Sequence, residues 1–91
     1  LELGGKSPQI VAPDAVEAIE TILPALVGAA LANSGQLCVA KSRLLVPSTA
    51  LARVEALLES ELARHAPGDP RDPATRYGPL ASAAQQQRVL E

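Results

Sequence analysis

Arg43-Leu44-Leu45-Val46-Pro47 is a short apolar run closed by a proline. It does not alternate apolar with polar residues. A strand buried on both faces reads this way, and such strands belong to parallel sheets. Upstream, Ser7-Pro8-Gln9-Ile10-Val11-Ala12-Pro13 holds a β-branched pair between two prolines and reads as a brief strand whose exit is set by Pro13. The stretch between these two runs is helical in pattern. Asp14, with Glu17 three residues on, is arranged as an N-cap and capping box. Val16, Ile19, Ile22 and Leu23 then recur at helical spacing, and Leu26, Val27, Ala30 and Leu31 continue the face. Pro24 either kinks this helix or starts a second one. With Ala25, Ala29 and Ala32 also apolar, the second half is greasy all round, as in a helix buried on most sides. Asn33-Ser34-Gly35 is the stop signal.

After Pro47, Ser48 is placed to cap a second helix with a stripe of Leu51, Val54, Leu57, Leu58 and Leu62. Residues 66–76 carry Pro67, Gly68, Pro70 and Pro73 and read as a loop. Ser82 is placed to cap a last helix, 83–90. Strand, helix, strand, helix implies α/β architecture, with a right-handed crossover between two parallel strands. A two-stranded parallel sheet with apolar faces is not stable alone and needs further strands. The composition agrees. Of 91 residues one is aromatic, Tyr77, so the core is thin, and the chain opens on Leu1 with no initiator methionine. Part of a larger domain is expected.

Charge and composition narrow the function classes. Eight Lys and Arg against ten Asp and Glu leave no basic patch for phosphates, and one aromatic leaves no base-stacking platform, so nucleic-acid binding is not expected. The apolar run Ile22–Ala32, interrupted by Pro24 and Gly28, is too short to span a bilayer as a helix, which takes about 20 residues. No membrane association is expected. One cysteine, Cys38, and one histidine, His65, exclude an internal disulfide and a Cys/His metal cluster. A lone thiol suits a reducing, cytoplasmic compartment.

The topology brings chemistry to one sheet edge. Glu2 lies on the approach to the first strand and Cys38 on the approach to the second. In a parallel pair these approaches share an edge. A carboxylate and a thiol there are a candidate base and nucleophile. Gly4-Gly5 and Gly35 would let the two backbones, or a ligand, come close. On spacing alone a buried inert cysteine and a solvated Glu are the commoner readings.

The words themselves go further. Leu1-Glu2-Leu3-Gly4-Gly5-Lys6-Ser7-Pro8 and Asn33-Ser34-Gly35-Gln36-Leu37-Cys38-Val39-Ala40-Lys41-Ser42-Arg43 closely resemble the two signature segments of the NAD(P)-dependent aldehyde dehydrogenases. Pro67-Gly68-Asp69-Pro70 and Tyr77-Gly78-Pro79-Leu80 resemble later segments of the same family. The interval from Glu2 to Cys38 is slightly longer than the family pattern, the excess falling in 11–23. The resemblance implies a βαβα piece of a three-layer parallel-sheet catalytic domain, spanning 1–91 and incomplete, with cofactor-binding and oligomerisation domains absent. It implies Cys38 as nucleophile, Glu2 as the general base that hydrolyses a thioester, and Leu3 and Gly4 as backbone meeting NAD or NADP. The product would be a free carboxylic acid, the partner a small-molecule aldehyde, and the whole enzyme a dimer or tetramer of one chain.

No Gly-rich turn joins a strand to a helix here, so the dinucleotide would be held mainly elsewhere and the chain alone would be inactive. Alternative readings are a non-catalytic, self-associating module that pairs edge strands, and a redox-sensing thiol. For the other singled-out residues the expectations are structural. Asn33 ends a helix, His65 sits at a helix C-terminus where its imidazole suits the dipole, and Lys6 is solvated. Lys41 and Arg43 are ion-paired or solvated, and Tyr77 packs under the proline-rich loop.

Overall fold

The computed structural model describes residue 1 and residues 3–91. Two short strands, β1 (Pro8–Ile10) and β2 (Arg43–Leu45), run parallel, with Pro8 opposite Arg43, Gln9 opposite Leu44 and Ile10 opposite Leu45. The ladder continues at both ends: Arg43 N–H donates to the Ser7 carbonyl at 3.4 Å and Val11 N–H to the Leu45 carbonyl at 2.9 Å. The architecture is therefore α/β with a parallel pair, as expected.

The expectation that β2 is buried on both faces is corrected. Gln9 is buried and Leu44 half-buried on one face, whereas Ile10 is 74% and Leu45 47% exposed on the other. Among the described residues the helices cover one face only. The apolar run of β2 records the demand of both faces for burial, not which elements supply it.

The crossover starts with a 3-10 turn, Pro13–Ala18, and continues as α1 (Ile19–Leu31). The N-cap is Ala12, in extended conformation, with no side-chain cap. The expected capping box of Asp14 and Glu17 does not form, because Pro13 takes the first helical position. Its fixed φ and missing N–H suit that position, and Asp14 falls inside the first turn, where its charge favours the N-terminus. Pro24 lies within α1, so the helix runs on through it. Ile19, Leu23 and Val27, each four residues apart, are buried. Ala25 is exposed and residues 28–31 are half-buried, so α1 buries one stripe and not its whole circumference.

A second 3-10 turn, Ser48–Ala50, leads into α2 (Leu51–Leu62). Pro47 is the N-cap and no side chain caps the turn. Ser48 is thus one residue inside, a second correction with the same cause: a proline ends the extended segment and its carbonyl starts the turn, accepting from Ala50 N–H at 2.9 Å. Val54 is buried and Leu57 and Leu58 half-buried, while Leu51 and Leu62 at the stripe's ends stay 48% and 43% exposed. Val11, Ile19, Ala50 and Val54 form the core, with Val16, Ile22, Leu44 and Leu57 packed around it. Fully burying each aliphatic side chain contributes about 1.5–3 kcal/mol. Arg53 and Glu20 join α2 to α1 at 3.0 Å, an exposed pair that adds little.

The last helix, α3 (Ala83–Leu90), is capped as expected: Ser82 Oγ accepts from Gln85 N–H at 3.2 Å. By length and composition the 23-residue helical stretch Pro13–Gly35, with an 18-residue window of mean hydropathy 1.7, is long and apolar enough to cross a membrane. In the fold its buried stripe faces α2 and the sheet.

Candidate active site

The site lies where the approaches to the two strands meet. On the first approach, Gly4 has φ +72° with open space around its Cα, and Leu3 is 84% exposed. Gly5 stands hard against the other approach. A Cβ on Gly5 would fall 2.8 Å from the Cys38 carbonyl oxygen, closer than such contacts allow. Arg43, at the start of β2, donates from Nε to the Lys6 carbonyl at 2.7 Å and ties the approaches together again. Glu2, the expected base, lies outside the described residues.

The second approach leaves α1 through three successive left-handed residues: Asn33 (φ 51°), Ser34 (φ 57°) and Gly35 (φ 74°). Only the last lacks a Cβ. Asn tolerates this region, and Ser does so at a cost. Asn33 therefore ends the helix, as expected, by backbone conformation. Leu37–Ala40 is a turn closed by Ala40 N–H to the Leu37 carbonyl at 3.0 Å, and Ala40 is buried. Cys38 sits in that turn, exposed.

Gln9 holds this framework from beneath. It is polar and buried. Its Nε2 donates to the Leu26 carbonyl of α1 at 2.9 Å and to the Lys41 carbonyl at 3.1 Å, just after the Cys38 turn. The sequence reading passed over it, although a lone amide inside a short apolar strand is a signal: buried there, it must find partners.

A third segment touches the Cys38 approach from the far side. Ser34 Oγ donates to the Gly78 carbonyl at 3.1 Å, and Ala81 N–H donates to Gln36 Oε1 at 2.8 Å. This segment is anchored in turn. Gly68 N–H donates to the Tyr77 carbonyl at 2.9 Å, and Tyr77 Oη meets His65 Nδ1 at 3.1 Å. His65 Nε2 meets Glu61 Oε1 at 3.0 Å, and the imidazole is only 5% exposed. His65 lies just past the end of α2, as expected, with its ring enclosed and bonded on both nitrogens. Tyr77 lies against the proline-rich loop as expected. Leu31, Ser34, His65, Pro67, Tyr77 and Leu80 line an open groove of about 650 Å³. Lys6 and Lys41 are exposed.

In the loop, Arg71 holds the Asp69 carboxyl below its ordinary value, first through its side chain and then through its backbone N–H. That contact is present above the usual carboxylate range and is lost as pH falls through the lowered value. Among the described residues no group of three or more His, Cys, Asp or Glu could hold a metal ion.

The comparisons with known proteins agree with one another. The family model described as "Aldehyde dehydrogenase family" matches residues 1–91. A hydroxyisobutyraldehyde dehydrogenase of Mycolicibacterium austroafricanum is 44% identical over 91 residues, all of this chain and 18% of that protein. An NADP(+) succinate-semialdehyde dehydrogenase of Deinococcus radiodurans is 43% identical over 82 residues, 90% of this chain and 17% of that protein. Among solved structures, aldehyde dehydrogenase C from Pseudomonas syringae, a cysteine-to-alanine mutant complexed with NAD+ and octanal, superposes with a TM-score of 0.81 at 43% identity. It covers 97% of this chain and 18% of its own. The chain thus spans less than a fifth of the length of these relatives.

Proposed function

Since the chain belongs to the aldehyde dehydrogenase family, we propose that it is the nucleophile-bearing part of an NAD(P)-dependent aldehyde dehydrogenase that oxidises an aldehyde to a carboxylic acid. The observation that carries this reading is the contact of Gly5 with the Cys38 carbonyl, which joins the two signature segments at one sheet edge. The exposed position of Cys38 on its turn suits a nucleophile that an aldehyde must reach. Cys38 attacks the aldehyde carbon as thiolate, and the carbonyl oxygen takes up a proton to give a hemithioacetal. Loss of hydride from that carbon, with the hydroxyl proton, leaves a thioester. Glu2 takes a proton from water, the water oxygen adds to the acyl carbon, and the C–S bond breaks to release the acid and the thiolate.

NAD+ or NADP+ supplies the hydride acceptor when bound. The residues present fit one end of such a group. The open, left-handed backbone at Gly4 beside exposed Leu3 offers a surface on which a flat ring can lie near the Cys38 turn. No Gly-rich turn links a strand to a helix among the described residues, so the phosphates are held by other parts of the enzyme. The whole enzyme is a cytoplasmic homo-oligomer, a dimer or tetramer, without nucleic-acid or membrane partners. The single thiol of these 91 residues suits that compartment.

The test is pre-steady-state kinetics on the full-length enzyme that carries this segment. Cys38→Ala is expected to abolish both the NAD(P)H burst and turnover. Glu2→Gln is expected to keep the burst and lower turnover by about 10²–10⁴-fold. Normal turnover in either variant contradicts the assigned role. The 91 residues alone are expected to produce no NAD(P)H from an aldehyde, and Cys38-dependent production by them would overturn that expectation.

A second reading, a non-catalytic self-associating module, draws on the exposed Ile10 and Leu45 across the strand pair. It applies to the isolated chain and is tested by its state of association.

A further inference from the structure

We propose that the Tyr77–Ala81 segment is a brace that sets the left-handed turn before Cys38, with Ser34 and Gln36 as its positioning residues; the inference rests on the catalytic role of Cys38 proposed above. Two non-glycine residues in succession, Asn33 and Ser34, hold positive φ. Such conformations persist only where the surroundings over-determine them, and they gather where geometry serves function. Here the surroundings are on the page. Ser34 itself is held by its hydroxyl on the Gly78 carbonyl, and Gln36, two residues before Cys38, is held by Ala81 N–H on Oε1. Both partners lie more than forty residues away in sequence.

The brace has its own foundation. Tyr77 adjoins Gly78. Its carbonyl is fixed by Gly68 N–H, and its Oη by His65, whose other nitrogen is fixed by Glu61 at the end of α2. With Nε2–H donating to the Glu61 carboxylate, Nδ1 is left to accept from the Tyr77 hydroxyl. A line of hydrogen bonds thus runs from α2 to the approach of the nucleophile. On the opposite side, Gly5 abuts the Cys38 carbonyl and Gln9 holds the Lys41 carbonyl. The Cys38 turn is therefore held from both sides: the 77–81 side grips Ser34 directly, and Gln36, which it also holds, donates from N at 3.1 Å and from Nε2 at 3.4 Å to the Asn33 carbonyl.

The reading predicts a defect in the placement of Cys38, without a general loss of fold. In the full-length enzyme, Gln36→Ala removes the acceptor for Ala81 N–H. It is expected to slow the NAD(P)H burst and alkylation of Cys38 by iodoacetamide together, by about ten- to a hundred-fold, the scale on which misplacing a reacting group acts. The thermal midpoint is expected to stay near that of the parent. Gln36→Glu keeps an acceptor oxygen at the same reach and is expected to recover most of both rates. Should Gln36→Ala be insoluble, Gln36→Asn, too short to reach Ala81, replaces it in the same comparison with Gln36→Glu. Both rates within twofold of the parent in the shortened variant, or equal losses in the shortened and the Glu variants, overturn the brace. A Cys38→Ala enzyme that still turns over overturns the catalytic reading instead, so the two failures are distinguishable.

Discussion

Gly5 and Cys38 show how much rests on a single missing Cβ. The backbones meet because nothing projects from Gly5 toward the Cys38 carbonyl. Gly5→Ala puts a carbon 2.8 Å from that oxygen, with backbone on both sides and no flexible side chain to give way. Overpacking of this kind costs about 1–3 kcal/mol. Chemical denaturation of the full-length enzyme is expected to show a loss in that range, and alkylation of Cys38 to change rate as its turn is displaced. An unchanged midpoint and rate would mean that the two segments separate freely. The pairing of Gly4-Gly5 with the Cys38 approach was legible in the sequence, because glycine pairs at strand entries have few uses other than close approach or tight turns. The support from Gln9 was not. Its two acceptors lie 17 and 32 residues away, at distances along the chain that no local pattern encodes.

Helices and strands were legible where the side-chain period is strong and misread where a proline sets the boundary. The parallel pair, the stripe of α2 and the Ser82 cap of α3 all follow from residue type and spacing. Both misplaced caps lie beside prolines. Beside Pro13 the N-cap moves two residues back, from Asp14 to Ala12, and at Pro47 one residue back, from Ser48, because a fixed φ decides the first turn before a hydroxyl or carboxylate can. Pro24 carries the clearest consequence at this scale. It is exposed, lies inside α1, and provides no N–H for the Glu20 carbonyl. Pro24→Ala restores that donor and a better helix former, and is expected to stabilise the chain by about 1 kcal/mol or more. Thermal unfolding measures it. A lower midpoint would mean that the bend at Pro24 is needed for α1 to seat Leu23 and Val27.

For the whole molecule, the uncovered face of the sheet matters most. Ile10 and Leu45 stand opposite each other on it, and Val39 and Leu3 are also exposed at 65% and 84%. An apolar strand pair of this kind is a ready surface for another copy of itself. Light scattering on the isolated 91 residues is expected to show association that grows with concentration. Ile10→Lys with Leu45→Lys is expected to reduce it. A clean monomer at all concentrations would remove the self-association reading.

The sequence by itself determined the α/β class, the order and parallel sense of the elements, and the two segments that meet at the strand entries. These follow from periodicity and from short-range residue chemistry, which act within a turn or a strand. Only the tertiary structure decided which sheet face is covered, that Gln9 is buried with its Nε2 on two carbonyls, that the His65 ring is bonded at both nitrogens, and that residues 77–81 grip the turn before Cys38. Those outcomes depend on hydrogen bonds between groups far apart in the chain, whose partners are selected by the packing of helices on a sheet and not by spacing along the sequence.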